Sequence, residues 1–347
     1  MTDSRNTIVD VARAAGVHPS TVSRVLNGRP DLSLRAETRA RVVAAAERLG
    51  YRPSAVARSL RLRRTLTLGM LVPDIANPFF PPIIKGAESA ASERGYNLIL
   101  CNTEDSSERE ATYLRVLRER QVDGLLIASS FMADSTIARL RREQFPFVLL
   151  NRVARGGADL AVLVDNRAAA GRVIAHLADL GHRRIGLVAG PQTTTTGVER
   201  LAGARAAIRR RGLDDGDELT VVAEAFSEEA GYRAARRLLV DGVRPTAIFG
   251  ANDLIAFGVL RAAREAGLGV PSDLSLAGFN DILPAVLIEP PLTTIHVPQR
   301  EMGDRAARLL VAALEGEEIP QGKVILDAEL IVRGSTAAPS MVVRRIA

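Results

Sequence analysis

Ser20, Thr21 and Arg24 are hydrogen-bonding side chains on the outer side of a short helical pattern opened by Pro19. Val22, Val25 and Leu26 give the same pattern an inward apolar stripe. Hydroxyls and a guanidinium near the start of a second short helix can read base-pair edges in the major groove of a duplex. Catalytic chemistries find less support. His18, His176, His182 and His296 show no metal-ligand spacing, and they read as surface or capping residues. Cys101 follows the apolar run 98–100, has no evident histidine partner, and reads as a core thiol. There is no Walker-type phosphate loop and no nucleophile elbow. No catalytic residue, no metal and no cofactor is therefore expected.

The elements that must present those side chains lie within 7–28. Thr7 with Asp10 three residues on makes a capping-box start, and Ile8, Val11 and Ala15 then share one face. Gly16 supplies a left-handed cap, and Pro19 suits the first position of a second helix, where a missing N–H costs nothing. Spacing alone leaves two readings, a helix-turn-helix or an αα-hairpin that merely packs. Ser33 is placed to cap a third helix with Val42, Ala46 and Leu49 on one face, ended by Gly50. Charge favours the first reading. Residues 1–64 hold 13 Arg, no Lys and 5 acids, a balance of +8, whereas residues 65–347 balance at −2. A compact basic head on a near-neutral body is the footprint of a phosphate-binding module.

Residues 51–64 read as a link. Ser54 after Pro53 can cap about two turns of helix through Leu60, with Val56 and Leu60 on one side among Arg58, Arg61, Arg63 and Arg64. So short a helix is unstable alone and should order only against a partner. From about Thr65 strand and helix patterns alternate. Strands are expected at 66–72, 97–100, 124–128, 147–150, 161–164, 185–189, 219–222, 247–250 and 274–277, with helices such as 108–120, 198–211 and 254–266 between them. That rhythm belongs to α/β doubly wound parallel sheets, here two of them, with ligand chemistry at the strand carboxyl ends. The run 193–196 reads as a loop after Gly190-Pro191. One cysteine permits no intrachain disulfide, no secretory h-region opens the chain, and no apolar run approaches membrane-spanning length. A cytoplasmic protein without membrane contact is expected.

The motifs DVARAAGV…STVSRVLNG, RPSAVARSL, PDIANPFF, VDGLLI, GHRRIGLVAG, ERLAG, PTAIFGANDLIAFG, LAGFND and PPLTTI, in this order, resemble the LacI/GalR family of transcriptional regulators over nearly the full length. The resemblance implies a helix-turn-helix head at 1–50, a hinge helix or linker at 51–64, a two-lobed effector-binding and dimerisation domain at 65–335, and a tail at 336–347. It implies a homodimer on a pseudo-palindromic operator, with Pro19, Ser20 and Arg24 at base-reading positions and Thr21 and Ser23 at phosphates. Thr7, His18 and Asn27 join that DNA-binding set. His18 stands where serine is usual, which either weakens the cap of the second helix or adds a phosphate contact. Paired hinge helices would enter the minor groove with Leu60 as the wedge, admitting Ala55, Ala57 and Arg61, with Ser54 at their start. The alternative for Leu60 is packing on the body.

The body resembles the periplasmic sugar-binding proteins. That similarity places Asp74, Phe79, Phe80 and Asn151 on one lobe and Arg200, Phe226, Asn252 and Asn280 on the other as effector-binding residues. Two-ended hydrogen-bonders beside aromatic faces suit a hydroxyl-rich ligand, a sugar by expectation. Each has a plainer reading: Asp74 as a turn former, Asn252 as a helix cap, Arg200 as an exposed helix residue, Asp281 as a loop residue. Asn280 stands where many relatives have aspartate, which removes a formal charge. The expected function is repression controlled by a small-molecule effector acting as inducer. Corepression is the alternative, since the hinge resembles that of a corepressed member of the family. A solute-binding protein would explain the body and leave the basic head without a purpose. The tail lacks leucine heptads, so a dimer without a tetramerising segment is expected.

Overall fold

A computed structural model of the chain describes residues 6–26, 34–51, 64–240 and 245–340. It divides into two compact units, Met1–Leu66 and Thr67–Ala347.

The first unit is built on α1 (Ile8–Ala15), α2 (Pro19–Leu26) and α3 (Ala36–Arg48). The capping box at α1 is present: Asp10 N–H donates to Thr7 Oγ1 (3.4 Å), and Thr7 N–H donates to Asp10 Oδ2 (2.8 Å). Those bonds from Thr7 hold the Asp10 carboxyl below its usual value. Gly16 closes α1 at φ +63°, a conformation that costs a side chain with a Cβ and costs glycine little. The three helices share one small core in which Val11, Val22 and Val42 are fully buried, while Ile8, Leu26 and Leu49 pack at its edge. At α3 the cap position falls on Arg35, whose side chain makes no capping bond. The expected cap at Ser33 is thus not the start of the helix; Ser33 itself lies outside the described residues.

The second unit has two lobes. The first is a six-stranded parallel sheet in the order β11-β5-β4-β3-β1-β2, formed by β1 (Thr67–Val72), β2 (Asn97–Asn102), β3 (Gly124–Ile127), β4 (Phe147–Leu150), β5 (Ala161–Val164) and β11 (Lys323–Leu326). The second is a four-stranded parallel sheet in the order β7-β6-β8-β9, from β6 (Ile185–Ala189), β7 (Thr220–Val222), β8 (Ala247–Gly250) and β9 (Ser275–Ala277). The inner strands are continuous apolar runs because helices cover both faces of a parallel sheet. All nine anticipated strands are present, with small shifts at their ends. A further antiparallel pair, β10 (Thr294–His296) with β12 (Glu329–Ile331), accompanies the passages between lobes.

Helices α4 (Phe80–Glu93), α5 (Ser107–Glu119), α6 (Ser135–Arg142) and α12 (Gln299–Glu315) belong to the first lobe. Helices α7 (Asn166–Asp179), α8 (Thr195–Arg210), α9 (Glu228–Val240), α10 (Asp253–Glu265) and the short α11 (Pro284–Leu287) belong to the second. The chain passes between lobes from β5 to α7, from β10 to α12, and from β11 to β12. Helices α4 and α12 cross at two glycines. A Cβ on Gly86 would lie 2.1 Å from the Arg300 carbonyl oxygen, and one on Gly303 would lie 1.9 Å from that of Ile83. Leu114, Leu117, Leu125 and Leu149 fill one core of the first lobe; Leu238, Ile248, Ile255 and Leu276 fill that of the second.

Two details depart from the sequence reading. Helix α8 opens three residues earlier than expected, because Thr194 Oγ1 accepts the Gly197 N–H (3.2 Å) as its N-cap, so part of the threonine run is helix. Residues Ser335–Ala337 are bound along β9: Leu276 N–H donates to the Ser335 carbonyl (2.8 Å) and Ala337 N–H to Ser275 Oγ (3.0 Å).

Candidate functional site

In the head, Ser20 and Arg24 are exposed on α2, and Thr21 and Ser23 are half-buried beside them. The inward stripe of Val22 and Val25 fixes that orientation. His18 occupies the N-cap: its carbonyl accepts from Thr21 N–H (2.8 Å) and Val22 N–H (3.3 Å). Its ring Nδ1 accepts the backbone N–H of Ser20 (3.2 Å) and lies 2.8 Å from Ser20 Oγ. A backbone N–H can only donate, so Nδ1 is the unprotonated nitrogen and Nε2 carries the ring proton. The helix is therefore capped by an imidazole, and Ser20 Oγ is tied to the same nitrogen. Thr7 is engaged by Asp10 through both its N–H and its hydroxyl. Asn27, Ser54, Ala55, Ala57, Leu60 and Arg61 lie outside the described residues.

In the body, Asp74, Asn151, Asn252 and Asn280 follow β1, β4, β8 and β9, Phe226 follows β7, Phe79 and Phe80 open α4, and Arg200 lies on α8. Asp74, after β1, is exposed and accepts the Ala76 N–H (2.8 Å), so it does shape its turn. Phe79 and Phe80 are both buried and meet edge to face, with centroids 5.2 Å apart. Asn151, after β4, sits at φ +61° and is buried, and its Oδ1 has no partner. Asn252 caps α10 by accepting the Ile255 N–H (2.8 Å). Arg200 is 2% exposed, which rules out the surface reading. It donates from Nε to Asn166 Oδ1 (2.9 Å), from Nη1 to the Ala251 carbonyl (2.8 Å) and from Nη2 to Asn280 Oδ1 (3.2 Å), and it stacks on Phe279 at 3.7 Å. Burial pushes its pKa down to about 9. Asn280 adopts φ +117°, and its carbonyl accepts from Gln299 Nε2 (2.7 Å).

The structure adds residues that the sequence reading missed. Arg152, next to Asn151, lies 5.5 Å from the centroid of the Phe226 ring of the other lobe and donates to Asp105 Oδ1 (2.6 Å). The lobes also meet through Val153 N–H on Thr195 Oγ1 (3.1 Å) and Met132 N–H on the Thr193 carbonyl (2.9 Å). Asp253 is fully buried at the start of α10. It accepts from Thr294 Oγ1 (2.5 Å) in β10 and from Ile282 N–H (2.9 Å), and burial pushes it up to about 7. Asp281 is more than a loop residue, since Arg333 Nη2 (2.7 Å) and His296 Nδ1 (3.0 Å) both reach it. The surface reading also fails for His182, which is buried between Thr246 Oγ1 and the Ala337 carbonyl. Among the described residues no His, Cys, Asp or Glu group could hold a metal ion.

A three-helix head joined to two parallel α/β lobes with polar side chains at their facing strand ends defines a ligand-responsive DNA-binding regulator. Residues 7–54 match the bacterial regulatory proteins of the lacI family, and residues 174–336 match the periplasmic binding protein-like domain. The ribose operon repressor of Escherichia coli (strain K12) is 39% identical over 331 residues, covering 95% of this chain and 99% of that protein. Among solved structures, the lac repressor dimer bound to operator and an anti-inducer superposes with TM-score 0.85 at 28% identity, covering 96% and 100% of the two chains. The regulator CelR in complex with cellobiose gives TM-score 0.70 at 34% identity over 95% and 100%. The chain belongs to the LacI family of bacterial regulatory proteins.

Proposed function

We propose that this protein is a homodimeric, operator-binding repressor whose DNA affinity falls when a sugar-type effector binds the cleft of the body. One observation carries the reading: a single chain joins a head with exposed Ser20 and Arg24 to a body whose two lobes face each other through buried hydrogen-bonding side chains. The base-reading role goes to Ser20 and Arg24, with Pro19 beside them and Thr21, Ser23 and His18 toward phosphates. The effector role goes to Asp74, Asn151, Arg200, Phe226, Asn252 and Asn280, with Phe79 and Phe80 as their apolar support. The domains run 1–50, 51–64, 65–335 and 336–347.

A dimer is supported by large apolar side chains left at the surface of the body. Leu283 and Leu287 are 72% and 73% exposed at α11, and Ile99 and Leu100 line the edge strand β2. Exposed large apolar side chains of this kind are what an association surface would cover. A nonenzymatic role follows from the regulator reading, and a cytoplasmic location fits a protein whose ligand is chromosomal DNA. No helix is long and apolar enough to cross a membrane among the described residues. Binding of effector and of DNA are linked through the arrangement of the lobes, so the ligand acts by its differential affinity for two arrangements. Gel retardation of the DNA upstream of the protein's own coding region tests the reading. A specific retarded complex at moderate salt, weakened by the effector, is expected; no specific complex overturns it.

A further inference from the structure

Two guanidinium groups, one from each lobe, lie near one another at the cleft. Arg152 of the first lobe has a side chain only 4% exposed, set against the Phe226 ring of the second lobe. Its Nη1 donates to Asp105 Oδ1, while its buried Nε has no partner. Arg200 of the second lobe ends on three neutral oxygens, those of Asn166, Ala251 and Asn280. Arg152 is close enough to Arg200 to disfavour the charge of Arg200.

The surrounding acids leave the Nε of Arg152 unpaired: Glu199, which favours the charge of Arg200, accepts from Asn166 Nδ2 (3.4 Å). Asp105 is 45% exposed and screens one guanidinium from the solvent side. Asp253 lies near Arg200 but turns its oxygens onto Thr294 and Ile282, and its burial favours the neutral acid. Glu110 accepts from Ser129 Oγ (2.6 Å) and is likewise pushed up, to about 7. Asp134 accepts the backbone N–H groups of Phe131, Thr136 and Ile137, and exposed Asp74 accepts that of Ala76. Where a carboxylate could have faced the ligand, Asn151 and Asn280 present amides. The Nε of Arg152 is thus left without a partner. Just after β4 and β3 of the same lobe, Asn151 Oδ1 and Ser130 Oγ are also buried without partners. A buried charge and buried polar atoms left in this state are costly until something pairs them.

We propose that the effector is a hydroxylated monocarboxylate, a sugar acid of the aldonate or uronate class. It would seat its carboxylate on Arg152 and its hydroxyls on Asn151, Ser130 and Asn280. The inference rests on the effector-cleft reading above and adds the charge of the ligand. A guanidinium edge containing Nε suits the planar, two-oxygen face of a carboxylate.

Calorimetric titration of the full-length protein tests this with D-gluconate, D-glucuronate and D-ribonate, each against its parent D-glucose or D-ribose, and with D-ribose 5-phosphate. At least one acid is expected to bind at least tenfold more tightly than its parent sugar and than the phosphate ester. Arg152→Gln should remove that preference, and Arg152→Lys, which keeps the charge, should retain part of it. The proposal is overturned if a parent sugar or the phosphate ester binds as tightly as the acids, if no acid binds, or if the preference survives in both folded variants. Retardation of operator DNA by the same preparation separates the two readings. Retardation with indifference to every acid overturns the sugar-acid assignment alone, whereas acid binding without operator binding overturns the repressor reading alone.

Discussion

At the scale of single residues, the imidazole cap of α2 and the buried carboxyl of Glu110 each carry a measurable consequence. His18→Ala removes the acceptor for Ser20 N–H and should cost about 1 kcal/mol of head stability. Asn at that position restores a cap oxygen. Thermal unfolding should therefore rank wild type and His18→Asn above His18→Ala, and equal stability of all three would remove the capping role. Glu110 titrates above its ordinary 4.5, at about 7, because burial disfavours its charged form. Its contribution to stability is fully present below about pH 4.5 and is lost as the pH rises through about 7. Glu110→Gln should flatten the fall in stability across that window by on the order of 2–3 kcal/mol, read from denaturant midpoints at several pH values. The sequence foretold the cap only in part. Serine at 18 would have been an obvious N-cap, whereas an imidazole does the work here through a lone pair whose placement depends on the ring's orientation. Arg152 was missed because a charge beside Asn151 reads as the polar end of a strand. Its signal was position alone: the carboxyl end of an apolar run in a parallel sheet.

At the scale of elements, α4 and α12 approach as closely as they do because Gly86 and Gly303 each stand against the other helix's backbone. Gly86→Val would force a side chain into the Arg300 carbonyl and should destabilise the first lobe by about 1–3 kcal/mol or more, checked by chemical unfolding. A midpoint unchanged from wild type would mean that the helices can part freely. The strands buried on both faces were legible because each is an apolar run of 4–6 residues bounded by turn formers. Strands β10, β11 and β12 were not. They are three or four residues long, β11 and β12 are partly exposed, and their partners are distant in sequence. Nothing local in KVIL or ELI distinguishes a strand from a loop; the partner supplies the reason. The start of α8 was similarly hidden, since a run of threonines favours strand or loop until one of them acts as a cap.

At the scale of the whole molecule, removing residues 1–64 should abolish operator retardation while the body keeps its ligand-induced thermal shift. A truncated body that still retards operator DNA would show that the reading surface lies elsewhere. Reciprocity adds a constraint: whatever factor the ligand takes from operator affinity, operator must take from ligand affinity. The passage of the chain between lobes has a consequence for biosynthesis. The first lobe holds β1 to β5 from the front of the body, yet it is finished only by α12 and β11, which are translated after all four strands of the second lobe's sheet. On the ribosome the head can close first and the sheet of the second lobe next, while the first lobe waits with the α12-facing side of α4 and the outer edge of β5 bare. A nascent chain halted after His296 should thus protect the second lobe from protease before the first. Messages cut short upstream of β11 would leave the first lobe without its edge strand, with the bare edge of β5 open to pairing with another chain.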